Sequence, residues 1–235
     1  MSLADYMDIK RENDHIFREG SFPDMTSETV YTFRDFPEIK REKYFSIAEN
    51  TIKSTTIQAI IQYAEQGNIT ALNFANAKHA GGAYILGGKA QEEDICRASM
   101  LYYTIKEQKD YYHKNIVHIT PDYTDIMIYS ANVPVIRKDD GIRLEKPVLC
   151  NFITSPAVNR TFAKFMFSGK KINNIMYTRI RKIIMLALEK KTDILILGAF
   201  GCGMFGNKRE TVFPMFEEVI NKYVPDSIKV IFAIP

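Results

Sequence analysis

The stretch with the most chemical content runs from Leu72 to Ser99, LNFANAKHAGGAYILGGKAQEEDICRAS. An apolar run ending at Phe74 leads into asparagines, then Gly81-Gly82 and Gly87-Gly88, then Gln91-Glu92-Glu93. Glycines at this density let the backbone take positive φ and approach a ligand with no Cβ in the way. The N–H groups of such a loop, and of a helix start beyond it, suit an anion such as a diphosphate. A tight strand-to-helix connection is the plainer reading, but four glycines and two asparagines exceed what a connection needs. Glu92 and Glu93 are consecutive, so on a helix they point ~100° apart and cannot do the same job. Acids in a first helical turn often do no more than complement the dipole, worth ~0.3–1 kcal/mol. Beside an anion loop they gain a second use. A helix N-terminus lowers a carboxylate pKa, which suits a group that accepts hydrogen bonds from sugar hydroxyls. Burial and a nearby diphosphate raise it, which suits a general acid. Two carboxylates in unlike environments are what glycosidic bond cleavage requires.

A second glycine cluster, LILGAFGCGMFGN, runs from Leu195 to Asn207 and holds Gly198, Gly201, Gly203 and Gly206. It reads as a strand, a loop and a helix start, a phosphate cradle at the carboxyl end of a strand, where open α/β sheets bind ligands. No Gly-Lys-Ser/Thr follows, which argues against an ATPase. Gly201-Cys202-Gly203-Met204-Phe205-Gly206 matches the dinucleotide spacing but lacks the βαβ unit and the downstream acid. Cys202 has no histidine nearby in sequence and reads as packing. Phe205 has no obvious core to serve in the sequence, and a ring there can pack against a ribose. The four histidines, His15, His79, His113 and His118, show no metal-ligand spacing; neither a metal nor a cofactor is expected. His79, next to Gly81-Gly82, is the one placed to touch a ligand.

These clusters need elements to position them. Helical spacing carries Ile52, Ile57, Ile60, Ile61 and Tyr63 up to a stop at Gly67-Asn68, and Ile69–Phe74 has strand preferences. A helix over 91–107 presents Ile95, Ala98, Leu101, Tyr102 and Ile105 as one stripe. Strands are expected over 126–129, 133–136, 148–153, 193–197 and 227–234, and helices over 172–190 and 207–223. Interleaving without a break in composition argues one α/β layer structure. Residues 1–40 differ, being dense in charge and holding Pro23, Pro37 and the turn-rich SFPDMTSET. They read as an accessory helix and loop laid over the core.

Composition excludes several classes. Three scattered cysteines, Cys96, Cys150 and Cys202, make no disulfide framework and fit a reducing cytoplasm. The N-terminus opens without an apolar signal region, and no apolar run approaches the ~20 residues of a membrane span. Lys+Arg 31 against Asp+Glu 28 leaves a net charge of +3 over 235 residues. That is no footprint for duplex DNA or an anionic membrane, so neither sequence-specific nucleic-acid binding nor a membrane partner is expected.

Taken together, the clusters resemble the bacterial-type poly(ADP-ribose) glycohydrolase family, whose catalytic domain is a macrodomain. The family signature is three glycines, a short spacer and Gln-Glu-Glu; here Gly81-Gly82-Ala83 is followed by Tyr84 to Ala90 and then Gln91-Glu92-Glu93. Asn73-Phe74-Ala75-Asn76 lies upstream. Asn132-Val133-Pro134-Val135, Thr154-Ser155-Pro156-Ala157 and Gly198 to Asn207 follow in the family's order, so the resemblance runs from about Arg41 to the C-terminus.

The resemblance implies a three-layer α/β/α macrodomain with a mixed central sheet over residues 41–235, and residues 1–40 as an N-terminal accessory extension. It implies a hydrolase that cleaves the ribose–ribose O-glycosidic bond of poly(ADP-ribose) or acts on an ADP-ribosylated substrate, with ADP-ribose as product. Glu93 would protonate the leaving ribose oxygen and then activate water, and Glu92 would hold ribose hydroxyls. Gly81, Gly82 and the Gly201–Gly206 loop would bind the diphosphate, with Phe205 and Asn76 on the distal ribose. Ala83, Gln91, Cys202, Gly203 and Met204 complete the expected binding set. Ala83 departs from the third glycine, and where positive φ or close approach is needed a methyl costs affinity. The alternative is a macrodomain that binds ADP-ribose or a related signalling nucleotide without cutting it; the retained Gln-Glu-Glu favours the enzyme. The small net charge suits engagement of one terminal unit of a polyanion.

Overall fold

The computed structural model describes residues 2–20, 22 and 24–235. Helix α1 (Leu3–Glu19) and strand β1 (Thr26–Val30) precede β2 (Thr51–Ile52) and α2 (Thr56–Tyr63). Strand β3 (Ile69–Phe74) leads through the glycine loop to α3 (Gln91–Ala98), α4 (Leu101–Ile105) and α5 (Lys109–Val117). The hairpin β4 (Met127–Arg137) and β5 (Arg143–Ser155) comes next, followed by α6 (Arg160–Ala163) and α7 (Gly169–Glu189). The chain closes with β6 (Ile194–Leu197), α8 (Arg209–Tyr223) and β7 (Lys229–Ala233).

The seven strands form one sheet in the order β1-β4-β5-β3-β6-β7-β2. The run from β5 to β2 is parallel, while β4 and β1 are antiparallel to their neighbours, so the sheet is mixed. Side chains alternate faces along a strand, and here both faces are buried. Leu72, Leu195, Leu197, Val230 and Phe232 pack under α7 and α8. Ala71, Ile194, Ile196 and Ile231 pack under α2 through α5. Near-continuous apolar strands of this kind belong to a sheet covered on both sides by helices. The expected three-layer arrangement holds.

Four details differ from the pattern read along the chain. Ile52, expected at helical spacing with Ile57 to Tyr63, lies instead on β2, and α2 begins only at Thr56. The helix expected over 91–107 breaks at Ser99-Met100, where Ser99 bridges to Val135 on β4 and its hydroxyl donates to Ile95 O and accepts from Leu101 N–H. The apolar stripe survives because α4 restarts with Leu101 and Ile105 buried. The strands expected over 126–129 and 133–136 are one strand, joined through an irregularity where Asn132 takes φ +53. The N-terminal segment supplies a strand as well as a helix: β1 pairs with β4 at the sheet edge. Helix α1 docks through Asn13, whose Nδ2 donates to Arg97 O (2.9 Å) and Tyr84 Oη (3.4 Å) while its Oδ1 accepts from Arg137 Nε (3.1 Å). Within that segment Met1, Ser21 and Pro23 lie outside the described residues. Among the described residues no helix is long and apolar enough to cross a membrane.

Candidate active site

Strands β3 and β6 are parallel neighbours, so the two glycine loops leave the same, carboxyl end of the strands side by side. In the first loop Gly81, Gly82 and Gly87 take φ of +68, +57 and +79. Gly82 threads between the two acids: a Cβ there would collide with the Glu93 carboxylate and sit 3.2 Å from Glu92 Oε2. Helix α3 starts with no side-chain cap at Ala90. Glu93, in its first turn, reaches back to accept the N–H groups of Ala90 (2.7 Å) and Ala83 (2.9 Å). Glu92 points instead toward the sheet, accepting from Asn73 Nδ2 (3.2 Å) and the Asn76 N–H (2.7 Å). Only 2% of Glu92 and 7% of Glu93 is exposed.

Burial dominates at Glu92 and pushes its carboxyl up to about 8; hydrogen bonds from Asn76 and Asn73 oppose this and the charge of Glu93 adds to it. Burial thus favours the protonated form of the Glu92 carboxyl. Asn73 is fully buried and divides its amide donor between Glu92 and Thr154 Oγ1 (3.2 Å). Its Oδ1 has no hydrogen-bond partner among the described residues. Asn73 sets where Glu92 lies, and it does so across two strands.

Ala83, the departure from three glycines, has φ −94 and ψ 23, outside the left-handed region. Its N–H serves Glu93, and its methyl faces Gly88, where a Cβ would lie 2.8 Å away. The loop thus makes room for the methyl with no backbone strain. Two residues expected on substrate spend their side chains on the protein. Gln91 laces α3 to β3, its Oε1 accepting from Phe74 N–H and its Nε2 donating to Leu72 O and Thr56 Oγ1. Asn76 Oδ1 accepts from the N–H groups of Lys78 and His79, closing a turn.

The second loop is more open. Gly201 and Gly206 both take φ +69, and a Cβ on Gly201 would lie 2.5 Å from Ala157 Cβ. Asn207 ties the loop to the end of β5, donating to Val158 O (2.8 Å) and Gly201 O (3.2 Å). Gly203 faces open space and Met204 is 88% exposed. Burial pushes the Cys202 thiol up to about 11, which fits packing and not a nucleophile. The half-buried Phe205 ring lies 6.0 Å from that of Tyr123, a neighbour that no local signal in the sequence announces. Tyr123 takes φ +56, rare for a bulky residue, and is held there from afar. The fully buried Arg179 guanidinium bonds the carbonyls of Asp122, Tyr123 and Pro156 and the Asp125 carboxylate.

A cavity of about 240 Å³, lined by Phe74, Gln91, Asp94, Ala199, Arg209 and Pro235 among others, adjoins both loops. A larger open groove of about 1240 Å³ lies at the other end of β3, around Ile69 and Asn151, away from both acids.

The three-layer α/β/α fold with its mixed seven-stranded sheet is macrodomain-like, and the buried pair of adjacent carboxylates lies against Gly82 of its first glycine loop. The model of the microbial-type PARG catalytic domain matches residues 2–138, more than half of the chain, and the chain belongs to that family. It is similar to poly(ADP-ribose) glycohydrolase from Thermomonospora curvata bound to the inhibitor ADP-HPD, with 26% identity and a TM-score of 0.81 over 98% of this chain and 93% of that one. It is also similar to the Deinococcus radiodurans enzyme in complex with ADP-ribose, with 29% identity and a TM-score of 0.72 over 99% of this chain and 84% of that one. No curated protein matches the chain.

Proposed function

We propose that this chain hydrolyses the ribose–ribose O-glycosidic bond of poly(ADP-ribose), releasing ADP-ribose, with Glu93 as general acid/base. The observation that carries this reading is the Glu92–Glu93 pair, buried side by side beneath Gly82 and bonded to different partners. Family membership and the likeness to glycohydrolases crystallised with ADP-ribose and ADP-HPD support it. In the proposed reaction Glu93 gives its proton to the leaving ribose oxygen as the C–O bond breaks, and the anomeric carbon becomes oxocarbenium-like. The carboxylate then takes a proton from the attacking water, which restores the acid. Glu92, neutral in its buried setting, donates to and accepts from ribose hydroxyls. N–H groups of the Gly81-Gly82 and Gly201–Gly206 loops hold the diphosphate, and Phe205 with Tyr123 forms an aromatic wall for the distal ribose. The adjoining cavity, with Phe74, Ile234, Pro235 and Arg209 in its lining, suits the purine nucleoside.

Residues 41–235 carry the chemistry in this reading, with every proposed site residue between Phe74 and Pro235, and residues 1–40 brace it through Asn13. Three free thiols, Cys96, Cys150 and Cys202, support a cytoplasmic setting. The test compares the parent with Glu93→Gln on labelled poly(ADP-ribose). ADP-ribose release falls by about 10²–10⁴-fold in the variant while ADP-ribose binding persists. If both proteins bind and neither releases ADP-ribose, the chain is a binding module and not an enzyme.

A further inference from the structure

The net charge of +3 conceals an uneven distribution. Between Lys146 and Leu188 the sequence holds eight Lys or Arg and no Asp or Glu. Part of this charge is spent internally. Arg179 and Lys182 pair with Asp125, Arg181 pairs with Asp35, and Arg160 donates to the Asn173 amide oxygen. Lys164, Lys170 and Lys171 are exposed, and none makes an ion pair among the described residues.

Apolar side chains stand among these lysines. Phe162, Phe165 and Met166 are 62%, 79% and 56% exposed, and the exposed Met204 adjoins them. Single exposed apolar residues are ordinary, whereas a cluster marks an interaction surface. Lys164 Nζ lies 5.0 Å from the Phe165 ring centroid and Lys171 Nζ 3.9 Å from that of Phe167, so cations and ring faces are interleaved. The patch is bonded directly to the second glycine loop: Thr161 N–H donates to Phe205 O (3.2 Å) and its hydroxyl to Met204 O (3.4 Å).

We propose that Arg160–Lys171, comprising α6 and the turn after it, is a docking strip for the units of an ADP-ribose polymer beyond the one held in the active site. Phe162 and Phe165 stack on adenines, and Lys164, Lys170 and Lys171 meet diphosphates. The assignment rests on the proposed function, because the remainder of the polymer is joined to the distal ribose, which that reading sets against Phe205. The strip begins beside that residue. Each polymer unit carries one flat base and two negative charges, and the strip offers rings and cations in alternation with no acid in its own sequence. Stacking platforms beside a cationic track are the general means of holding a single-stranded polyanion.

The test uses the full chain and a triple variant, Lys164→Ala with Phe165→Ala and Lys171→Ala, on long poly(ADP-ribose) and on the ADP-ribose dimer across a range of salt. All three side chains are exposed, so the thermal melt stays that of the parent. The variant's KM for long polymer rises about tenfold, and the slope of log KM against log salt flattens by roughly 1.4, for two phosphate contacts at ~0.7 each. Dimer kinetics are unchanged. Filter retention of long polymer falls about tenfold in parallel and reads the strip even if the parent cleaves neither substrate, the outcome that sinks the proposed function instead. Unchanged retention and KM at every salt concentration overturn the strip. Loss of cosedimentation with phosphatidylserine vesicles, with polymer binding intact, also overturns it and reassigns the patch to a membrane surface.

Discussion

The two glycine loops leave neighbouring strands at their carboxyl ends, yet they are built to different tolerances. The first is closed on its inner side, with Gly82 against both carboxylates and Ala83 against Gly88. The second is pinned at Gly201 and Asn207 and otherwise faces solvent at Gly203 and Met204. A loop that aims a proton at one atom has to be packed from behind, because small displacements of a reacting group cost rate. A loop that wraps phosphate and sugar needs its ligand side empty.

The contrast breaks most visibly at Gly82. Gly82→Ala places a methyl against the Glu93 carboxylate at φ +57, and kcat falls by about 10²-fold or more with a smaller change in KM. Steady-state kinetics on poly(ADP-ribose) separates the two. A variant that alters KM alone would mean that the first loop only binds.

The second loop divides into an anchored and a free part. Gly201→Ala meets Ala157 at φ +69 and lowers stability by about 1–3 kcal/mol, visible in thermal melts. Gly203→Ala meets nothing within 4 Å, so its melt matches the parent's, while KM rises severalfold because the methyl enters the ligand's side. Equal melting losses for the two variants would erase the distinction between anchor and open face.

The last contrast concerns pH. Glu92 is raised from 4.5 to about 8 on folding, so the native chain keeps a proton that the unfolded chain releases. The Glu92 contribution is then nil below about pH 4.5 and lowers stability progressively as pH rises toward 8. Glu92→Gln flattens that decline in melts taken across the window. Substitutions in the second loop leave a profile parallel to the parent's.

The acids, the glycines and the strand–loop–helix order were legible because each depends on short-range geometry. Glu92 and Glu93 follow their glycines within one connection, and the alternation of Ile194, Leu195, Ile196 and Leu197 is that of a strand buried on both faces. Partners set by long-range folding were not legible. Nothing near Asn73 announces Thr154, and nothing near Tyr123 announces Arg179, which lies on α7 and fixes that loop by its carbonyls. Strand β1, TSETV, carries no strand signal of its own because a half-exposed edge strand needs no apolar run. Asn76 and Gln91 show a further limit: residue type does not tell whether an amide serves a ligand or the backbone beside it. The helix break at Ser99 was hidden because α3 and α4 share one buried stripe.

The central claim, that Glu93 and not Glu92 meets the scissile linkage, is tested most directly by a crystal structure of the chain with ADP-ribose. The account predicts a Glu93 carboxylate oxygen at ~2.6–3.2 Å from the distal ribose, Phe205 against that sugar and the diphosphate along both glycine loops. A Glu93 held away from the sugar by Ala83 and Ala90, or ADP-ribose seated in the groove near Ile69, would contradict it.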